Sequence, residues 1–560
     1  MPELNIPVGV SDFREIRQNG YYYIDKSGLI RELLKNTATK VTLITRPRRF
    51  GKTLSMSMLE NFFDIRKDSR AWFEGLEIAR DSELCQAWMN QWPTVFFSLK
   101  DIDGLNFESA YGQLKAQISE LYKKYAYLLE YDAIDPDDKQ NFLDLKAGRA
   151  GEVQVSRALS LLLRIMEAYY QKPVILLLDE YDVPVAKASS NGYYEQMLEV
   201  IKTMMSTALK DNSCLRFAVI TGCLKIAKES IFTGTNNLVS DTIGTSGLNE
   251  YFGFTQKDVD RLLEDAGANS QAENIKVWYD GYRFGNFEVY CPWDVMNYLR
   301  DFQQNPEARP VSYWKNTSDN AIIRSFIDYA GGAITKKLET LLSGGYILQH
   351  IDENLTYDYL HSSEDNLWSV LYLTGYLTGL REEELPGAVP DGMTALRIPN
   401  EEIREIFETT IRKWFDDSAK TWNRKDLFAS IWQGDSEAAT EEINKLLRRT
   451  ISYHDYREDF YHAFLAGIFT GAGYAVESNK EHGEGRSDIV VSDYMDGWVA
   501  IFEIKYSDSP EELETDCEKA IRQMDERMYA VEYEEQYPAE RILCYGISFF
   551  KKRCLVKKKA

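Results

Sequence analysis

No stretch of the chain approaches the ~18 consecutive apolar residues of a membrane-spanning helix. The opening run from Met1 to Phe13 lacks the basic region and the apolar core of a secretion signal. The expectation is a soluble, cytoplasmic protein with no membrane partner. Cysteine is sparse too: the seven, Cys85, Cys214, Cys223, Cys291, Cys517, Cys544 and Cys554, are odd in number and form no CxxC pair. That pattern supports neither a disulfide framework nor a zinc ribbon. Only five histidines occur, and none makes an HExxH or HxH pair, so a metal acting here would be held by carboxylates. Basic residues are outnumbered, 65 against 88 acidic, for a net charge of −23. A surface that acidic repels nucleic acid at long range, so any polynucleotide must be gripped by local basic groups or through bound cations.

What is present is ordinary globular material, 44% apolar and 27% charged, which excludes collagen-like, mucin-like and wholly disordered chains. At roughly 150 residues per domain, a chain of this length implies about three to four domains. Four β-branched or aromatic runs, Val41 to Thr45, Thr94 to Leu99, Val174 to Leu178 and Leu215 to Thr221, are separated by long helix-periodic segments. Continuously apolar strands alternating with helices predict an α/β fold with a parallel sheet covered on both faces. From about residue 250 to 445 the pattern becomes helical with aromatic clusters, and one helix has a clear start: Pro399, the capping Asn400, then Ile403, Ile406 and Phe407 at helical spacing. The texture from 451 onward is helix, strand, tight turn, strand and helix, ending in a basic tail. The expected organisation is therefore 1–250, 251–445 as a lid and linker, and 446–560.

The first strand runs into Arg46-Pro-Arg-Arg-Phe-Gly-Lys-Thr53 and then an apolar helix pattern, Leu54, Met58, Leu59 and Phe62. Strand, tight loop ending in Gly-Lys-Thr and helix is the context of a P-loop. The backbone N–H groups of Arg48, Arg49, Phe50 and Gly51 would face ATP phosphates, Lys52 would reach the β- and γ-phosphates, and the Thr53 hydroxyl would bind Mg2+. Arg46 stands where such loops usually begin with glycine. A second strand delivers Asp179 and Glu180 at its C-terminal end, the edge where an open α/β sheet binds its ligand. Asp179 would hold magnesium through water and Glu180 would polarise the attacking water. Thr221, ending a further strand, is either a sensor of the γ-phosphate or a simple strand-end threonine.

These motifs, with Ile6-Pro-Val-Gly-Val-Ser-Asp-Phe13, Tyr22-Tyr-Ile-Asp-Lys26, Asp179-Glu-Tyr-Asp182, Thr221-Gly-Cys-Leu-Lys-Ile-Ala-Lys-Glu-Ser-Ile-Phe232, Trp278-Tyr-Asp-Gly-Tyr-Arg-Phe-Gly285, Val289-Tyr-Cys-Pro-Trp293 and Tyr313-Trp-Lys-Asn-Thr317, resemble the AAA-ATPase-like family. The resemblance spans nearly the whole chain. It implies a P-loop ATPase sheet, a helical lid and linker, and a C-terminal α/β domain of the PD-(D/E)xK nuclease kind; it also implies arginine at the first P-loop position. Arg283 is then either a phosphate contact in the lid or part of a packed aromatic turn.

In the C-terminal region, Gly485-Arg-Ser-Asp-Ile-Val-Val491 and Trp498-Val-Ala-Ile-Phe-Glu-Ile-Lys505 flank Asp496-Gly497 and read as a hairpin. Glu503 and Lys505 share one strand face and Asp488 can lie nearby. This is the D…ExK arrangement of metal-dependent nucleases: Asp488, Glu503 and the Ile504 carbonyl would hold Mg2+, and Lys505 would position the attacking water and offset charge on the phosphate. A cross-strand ion pair on an exposed face is the plainer alternative. The resemblance further implies a metal-site contribution from Glu458 and a flanking helix carrying Gln523 and Tyr529. Residues 451–560 hold 14 Lys and Arg against 22 Asp and Glu, net −8. A grip on DNA or RNA would come from the tail Lys551, Lys552, Arg553, Lys557, Lys558 and Lys559, from the metal, or from the ATPase.

The leading expectation is ATP hydrolysis coupled to Mg-dependent cleavage of nucleic acid. Against it stand an ATP-dependent regulatory switch whose nuclease-like domain only docks a partner, and a phosphohydrolase acting on small phosphates. A homo-oligomer or a regulatory protein partner is compatible with either of the first two.

Overall fold

The computed structural model describes residues 4–35, 38–225, 238–245, 247–314, 323, 337–338, 340–353, 355, 364–410, 425–450, 461, 465–466, 468–469, 474–482, 485–494, 496–534 and 536–559. The chain divides into two compact units, one of Met1–Asp319 with Tyr346–Ile406 and one of Asn320–Gly345 with Phe407–Ala560. Among the described residues no helix is long and apolar enough to cross a membrane.

In the first unit, β1 (Val41–Thr45), β2 (Thr94–Ser98), β3 (Val174–Asp179), β4 (Leu215–Gly222) and β5 (Leu238–Asp241) form one parallel sheet in the order β2-β3-β4-β1-β5. All six residues of β3 are buried, as a strand covered on both faces must be. Val41, Leu43, Val95, Leu176 and Leu178 face one core layer, shared with the helices Phe107–Lys124, Ala158–Tyr170 and Tyr194–Leu209. The helix Lys52–Phe63 packs on β2, β3 and β4 from the other side with Met58, Leu59 and Phe62 fully buried. The four expected strands thus appear to within a residue at each end. The fifth, Leu238-Val-Ser-Asp241, has two apolar residues with Val239 half exposed, too little pattern to be read from sequence.

The stretch after residue 250, expected to be helical, also holds short strands. β6 (Tyr282–Phe284) and β7 (Phe287–Val289) make a hairpin, and β8 (Ile347–His350), β9 (Thr378–Gly379) and β10 (Met393–Arg397) an antiparallel sheet in the order β8-β10-β9. Strands this short leave almost no alternation to detect. The helix start at Asn400 is as expected: its side-chain oxygen accepts from the Ile403 N–H at 3.1 Å, and Ile403 and Ile406 are fully buried.

The second unit carries a mixed sheet of β11 (Ala475–His482), β12 (Gly485–Asp493), β13 (Trp498–Tyr506), β14 (Ile542–Phe550) and β15 (Arg553–Lys558), neighbours in that order. The β12–β13 hairpin pairs Asp493 with Trp498, and Gly497 takes the left-handed φ of +70° that its turn requires. β13 and β14 are parallel, with the helix Leu513–Glu526 between them in the chain. That helix covers the face bearing Val499 and Ile501, while Phe502 and Ile504 face the helices Lys425–Gln433 and Ser436–Thr450. The basic tail is not a free tail. It forms β15, and Lys557 pairs with Glu514 at 2.8 Å and Glu518 at 3.1 Å while Lys559 pairs with Asp525.

Because Leu176 sits fully buried at the middle of β3, Leu176→Ala leaves a cavity that its packed neighbours fill poorly. It should lower the unfolding free energy by ~2–5 kcal/mol, read as a shift in the denaturant midpoint.

Candidate nucleotide and metal sites

β1 lies between β4 and β5, so the loop that leaves it, Arg46 to Gly51, emerges at the carboxyl edge of the sheet. The loop turns through two left-handed residues, Arg49 at φ +76° and Gly51 at +81°, before the helix begins at Lys52. The Lys52 ammonium is buried. It donates to the carbonyls of Arg46 and Pro47, both at 3.0 Å, and lies 3.7 Å from the Cys223 sulfur and 3.6 Å from Glu180 Oε1. Burial opposes its charge, but Cys223, Glu180, Asp182 and Asp179 more than offset that and hold its pKa above the ordinary lysine value.

Asp179 ends β3 fully buried and takes three hydroxyls: Thr53 at 2.9 Å, Thr221 at 2.7 Å and Ser98 at 3.2 Å. Burial pushes its pKa up, and the hydrogen bonds from Thr221 and Thr53 restrain the rise. Ser98 has no place in the sequence-based set. Strand order supplies it, since Ser98 is the β2 residue in register with Asp179. Glu180 is held at φ +55°, a conformation that side chains other than glycine rarely adopt. Its neighbours lock it there: Tyr181 N–H donates to the Thr221 carbonyl at 3.0 Å, and the Asp182 carboxylate accepts from the N–H groups of Cys223 at 2.9 Å and Leu224 at 3.0 Å. Between them Gly222 has no room for a side chain, because a Cβ would lie 2.7 Å from Asp182 Oδ1 and from the Tyr181 ring. The Asp179-Glu-Tyr-Asp182 and Thr221-Gly-Cys-Leu224 motifs are therefore two halves of one hydrogen-bonded corner.

Other loop residues point elsewhere. Phe50 is fully buried, edge-on to Tyr282 and Phe284 with ring centroids 4.9 and 5.0 Å away, so only its backbone can face a phosphate. Arg49 stacks 4.1 Å over Trp293, and Arg48 is exposed. Among the described residues, Arg283 is engaged by partners outside the loop. It pairs with Glu288 at 2.6 Å and Glu384 at 2.9 Å and donates to the Gly379 carbonyl, the packed turn of its two sequence readings.

In the second unit, Ile489 pairs with Phe502, so Asp488 and Glu503 stand at the next step of the β12–β13 hairpin. Asp488 accepts from the Ile504 N–H at 2.7 Å. Glu503 is 1% exposed; its Oε1 receives Lys505 at 3.1 Å and the Gln523 amide, while its Oε2 is buried with no hydrogen-bond partner among the described residues. Burial, then the nearby Asp488 charge, push the Glu503 pKa up to about 7, against the pull of Lys505. Gln523 sits on the helix as expected, but Tyr529 does not. The helix ends at Glu526, Met528 turns through φ +50°, and Tyr529 packs beyond it in the core with Val490 and Met524. Glu458 lies outside the described residues. Among those described, no three His, Cys, Asp or Glu side chains converge as a metal cluster, which leaves the Asp488 and Glu503 pair. The orphaned buried Glu503 oxygen fits a hard cation, since an unpartnered buried carboxylate oxygen is costly unless something binds it.

The model of a family described as predicted AAA-ATPase matches residues 7–232, and that of the PD-(D/E)XK nuclease superfamily matches residues 456–559. The chain thus joins an AAA-ATPase-like domain to a PD-(D/E)XK nuclease superfamily domain. Its similarity to a curated protein of Azotobacter chroococcum mcd 1, described as an uncharacterized protein in the vnfD 5' region, is 23% identity over 559 residues, covering 98% of this chain and 97% of that one.

Glu503 has a folded-state pKa above its unfolded value, so the folded state binds the extra proton and stability falls as pH rises from the ordinary glutamate range through about 7. In metal-free buffer Glu503→Gln should raise the thermal midpoint at pH 8 and leave it nearly unchanged at pH 5. Equal effects at both pH values would mean that Glu503 is charged throughout.

Proposed function

We propose that this protein binds and hydrolyses ATP and cleaves nucleic-acid phosphodiester bonds with magnesium, with nucleotide state governing cleavage. The ATP half is carried by the Lys52, Thr53, Asp179, Glu180 and Thr221 constellation at the carboxyl edge of the parallel sheet. Lys52 would exchange the carbonyls of Arg46 and Pro47 for β- and γ-phosphate oxygens. The backbone N–H groups of Arg48 to Gly51 and the helix N-terminus would cradle the same phosphates. Thr53 and Asp179, already hydrogen-bonded, would hold the magnesium, whose role is to neutralise charge on the phosphates. Glu180, locked in its left-handed turn, would polarise the attacking water, and Thr221 would report the γ-phosphate to Asp179.

The orphaned Glu503 oxygen carries the nuclease half. Asp488 and Glu503 would hold a magnesium ion that supplies Lewis-acid stabilisation of the phosphate. Lys505, with its ammonium 3.1 Å from Glu503, would position the water and offset charge in the transition state. The Gln523 amide would keep the Glu503 carboxylate oriented. A second reading, an ATP-dependent switch with a docking module, is favoured by one observation: Lys557 and Lys559, two of the expected basic contacts, are engaged in ion pairs with their own domain.

Lys52→Ala should abolish protection by ATP in a thermal shift assay, and Glu180→Gln should keep that protection while hydrolysis slows. Full protection of the Lys52 variant would sink the P-loop assignment.

For the second site, labelled single- and double-stranded DNA and RNA are incubated with and without ATP and magnesium. Asp488→Ala and Glu503→Ala should each eliminate cleavage along with divalent-metal binding. Lys505→Ala should bind metal normally yet lose ~100-fold or more in turnover. If the wild type binds no divalent metal here while the variants stay folded, the docking reading stands.

A further inference from the structure

The residue at the head of the phosphate loop is fully buried, and its backbone groups and the two terminal nitrogens of its guanidinium do separate work, while Nε has no hydrogen-bond partner among the described residues. Its N–H donates to the Gly222 carbonyl on β4 at 3.1 Å, and its carbonyl accepts from the Lys52 ammonium at 3.0 Å. Its guanidinium reaches the adjacent edge strand, β5. There Nη1 donates to the carbonyls of Thr45 at 2.8 Å and Asp241 at 3.0 Å, while Nη2 donates to the Asp241 carboxylate and, at 2.8 Å, to Asn249 Oδ1. The rings of Phe252 and Phe284 lie 5.2 and 5.4 Å from the guanidinium carbon. The acceptors are themselves held: the second Asp241 oxygen takes the Leu248 N–H at 3.1 Å, and the Asn249 amide donates to the Thr245 carbonyl. Glycine, usual at this loop position, could make the two backbone bonds and none of the others.

We propose that Arg46 is a positioning residue for ATP. By clamping the head of the loop to β5 and the turn after it, it fixes the two carbonyls on which Lys52 rests, and so sets where the ammonium waits for the phosphates. This inference rests on the ATP reading above. Arg46 contacts no phosphate in this scheme. A planar, five-donor fork suits the task because four acceptors at different angles must be met at once, which a lysine ammonium on a flexible stem cannot do.

The test must separate positioning from the stability that any buried ion pair confers, because losing one partner strands the other's charge. Three full-length variants are compared for thermal midpoint and for the KM and kcat of ATP hydrolysis: Arg46→Met, Arg46→Lys, and Arg46→Met with Asp241→Asn. The single Met variant should lose stability and ATP affinity together. The double variant, which strands no charge, should regain most of the thermal midpoint yet keep a KM raised ~10-fold or more, because the loop is still unclamped. Arg46→Lys, which retains the charge facing Asp241, should also show the raised KM; it decides the matter if the double variant does not fold. A KM within twofold of wild type in either folded variant overturns the proposal and makes Arg46 a structural ion pair only. Wild type that neither binds nor hydrolyses ATP overturns the ATP reading, and this inference with it; wild type active and variants unchanged overturns this inference alone.

Discussion

The first unit depends on one buried carboxylate. Asp179 sits at the end of a strand with no exposed residue, where an uncompensated charge would be expensive. It is tolerated because hydroxyls converge on it from three different elements: Thr53 from the helix after the phosphate loop, Thr221 from β4 and Ser98 from β2. Those bonds register the helix against the sheet at the point where a nucleotide would sit. The adjoining corner follows from the same arrangement. With Thr221 held by Asp179, its carbonyl takes the Tyr181 N–H, Asp182 closes over Cys223 and Leu224, and Glu180 is left in a strained turn facing Lys52.

The phosphate loop is also braced from outside the sheet. Phe50 inserts between Tyr282 and Phe284 of the β6–β7 hairpin, Arg49 lies over Trp293, and Pro47 meets Gly375, whose Cβ position would lie 3.0 Å from the proline ring. Segments far apart in the chain thus support one loop of a few residues. Of the aromatic residues between Trp278 and Trp314, Tyr282, Phe284 and Trp293 pack on that loop, while Tyr279, Tyr290 and Tyr298 belong to a separate core. Arg283, tied to Glu288 and Glu384, helps hold the hairpin that receives Phe50.

The second unit places a different tension at its centre. Glu503 is as buried as a core leucine, yet only one of its oxygens is hydrogen-bonded among the described residues, and its pKa is lifted to about 7 by burial and by Asp488. A solvated cross-strand ion pair would show neither feature. The alternation of β13 produces this, with Ile504 directed to one core and Glu503 and Lys505 to the face covered by the helix that carries Gln523.

Local pattern was enough for much of this. Apolar runs marked β1 to β4 because buried parallel strands have no polar side to confuse the reading. The loop ending in Gly51-Lys-Thr53 and the pair Asp179-Glu180 read as candidates because each directly follows an apolar strand, whereas Glu503-Ile-Lys505 carries weight only when joined to Gly485-Arg-Ser-Asp488. The tertiary structure decided what depends on residues distant in sequence. β5, the two-residue β9 and the β6–β7 hairpin exist through their partners and carry little signal of their own. Ser98 joins the site only through strand order, and the cluster Lys551 to Lys559, which reads as a free basic tail, becomes an edge strand once Lys557 and Lys559 find carboxylates on a helix some forty residues earlier. Arg46 is the sharpest case. In sequence it is a departure from the usual loop, and only the folded chain brings Asp241 and Asn249, about two hundred residues later, to the guanidinium that needs them.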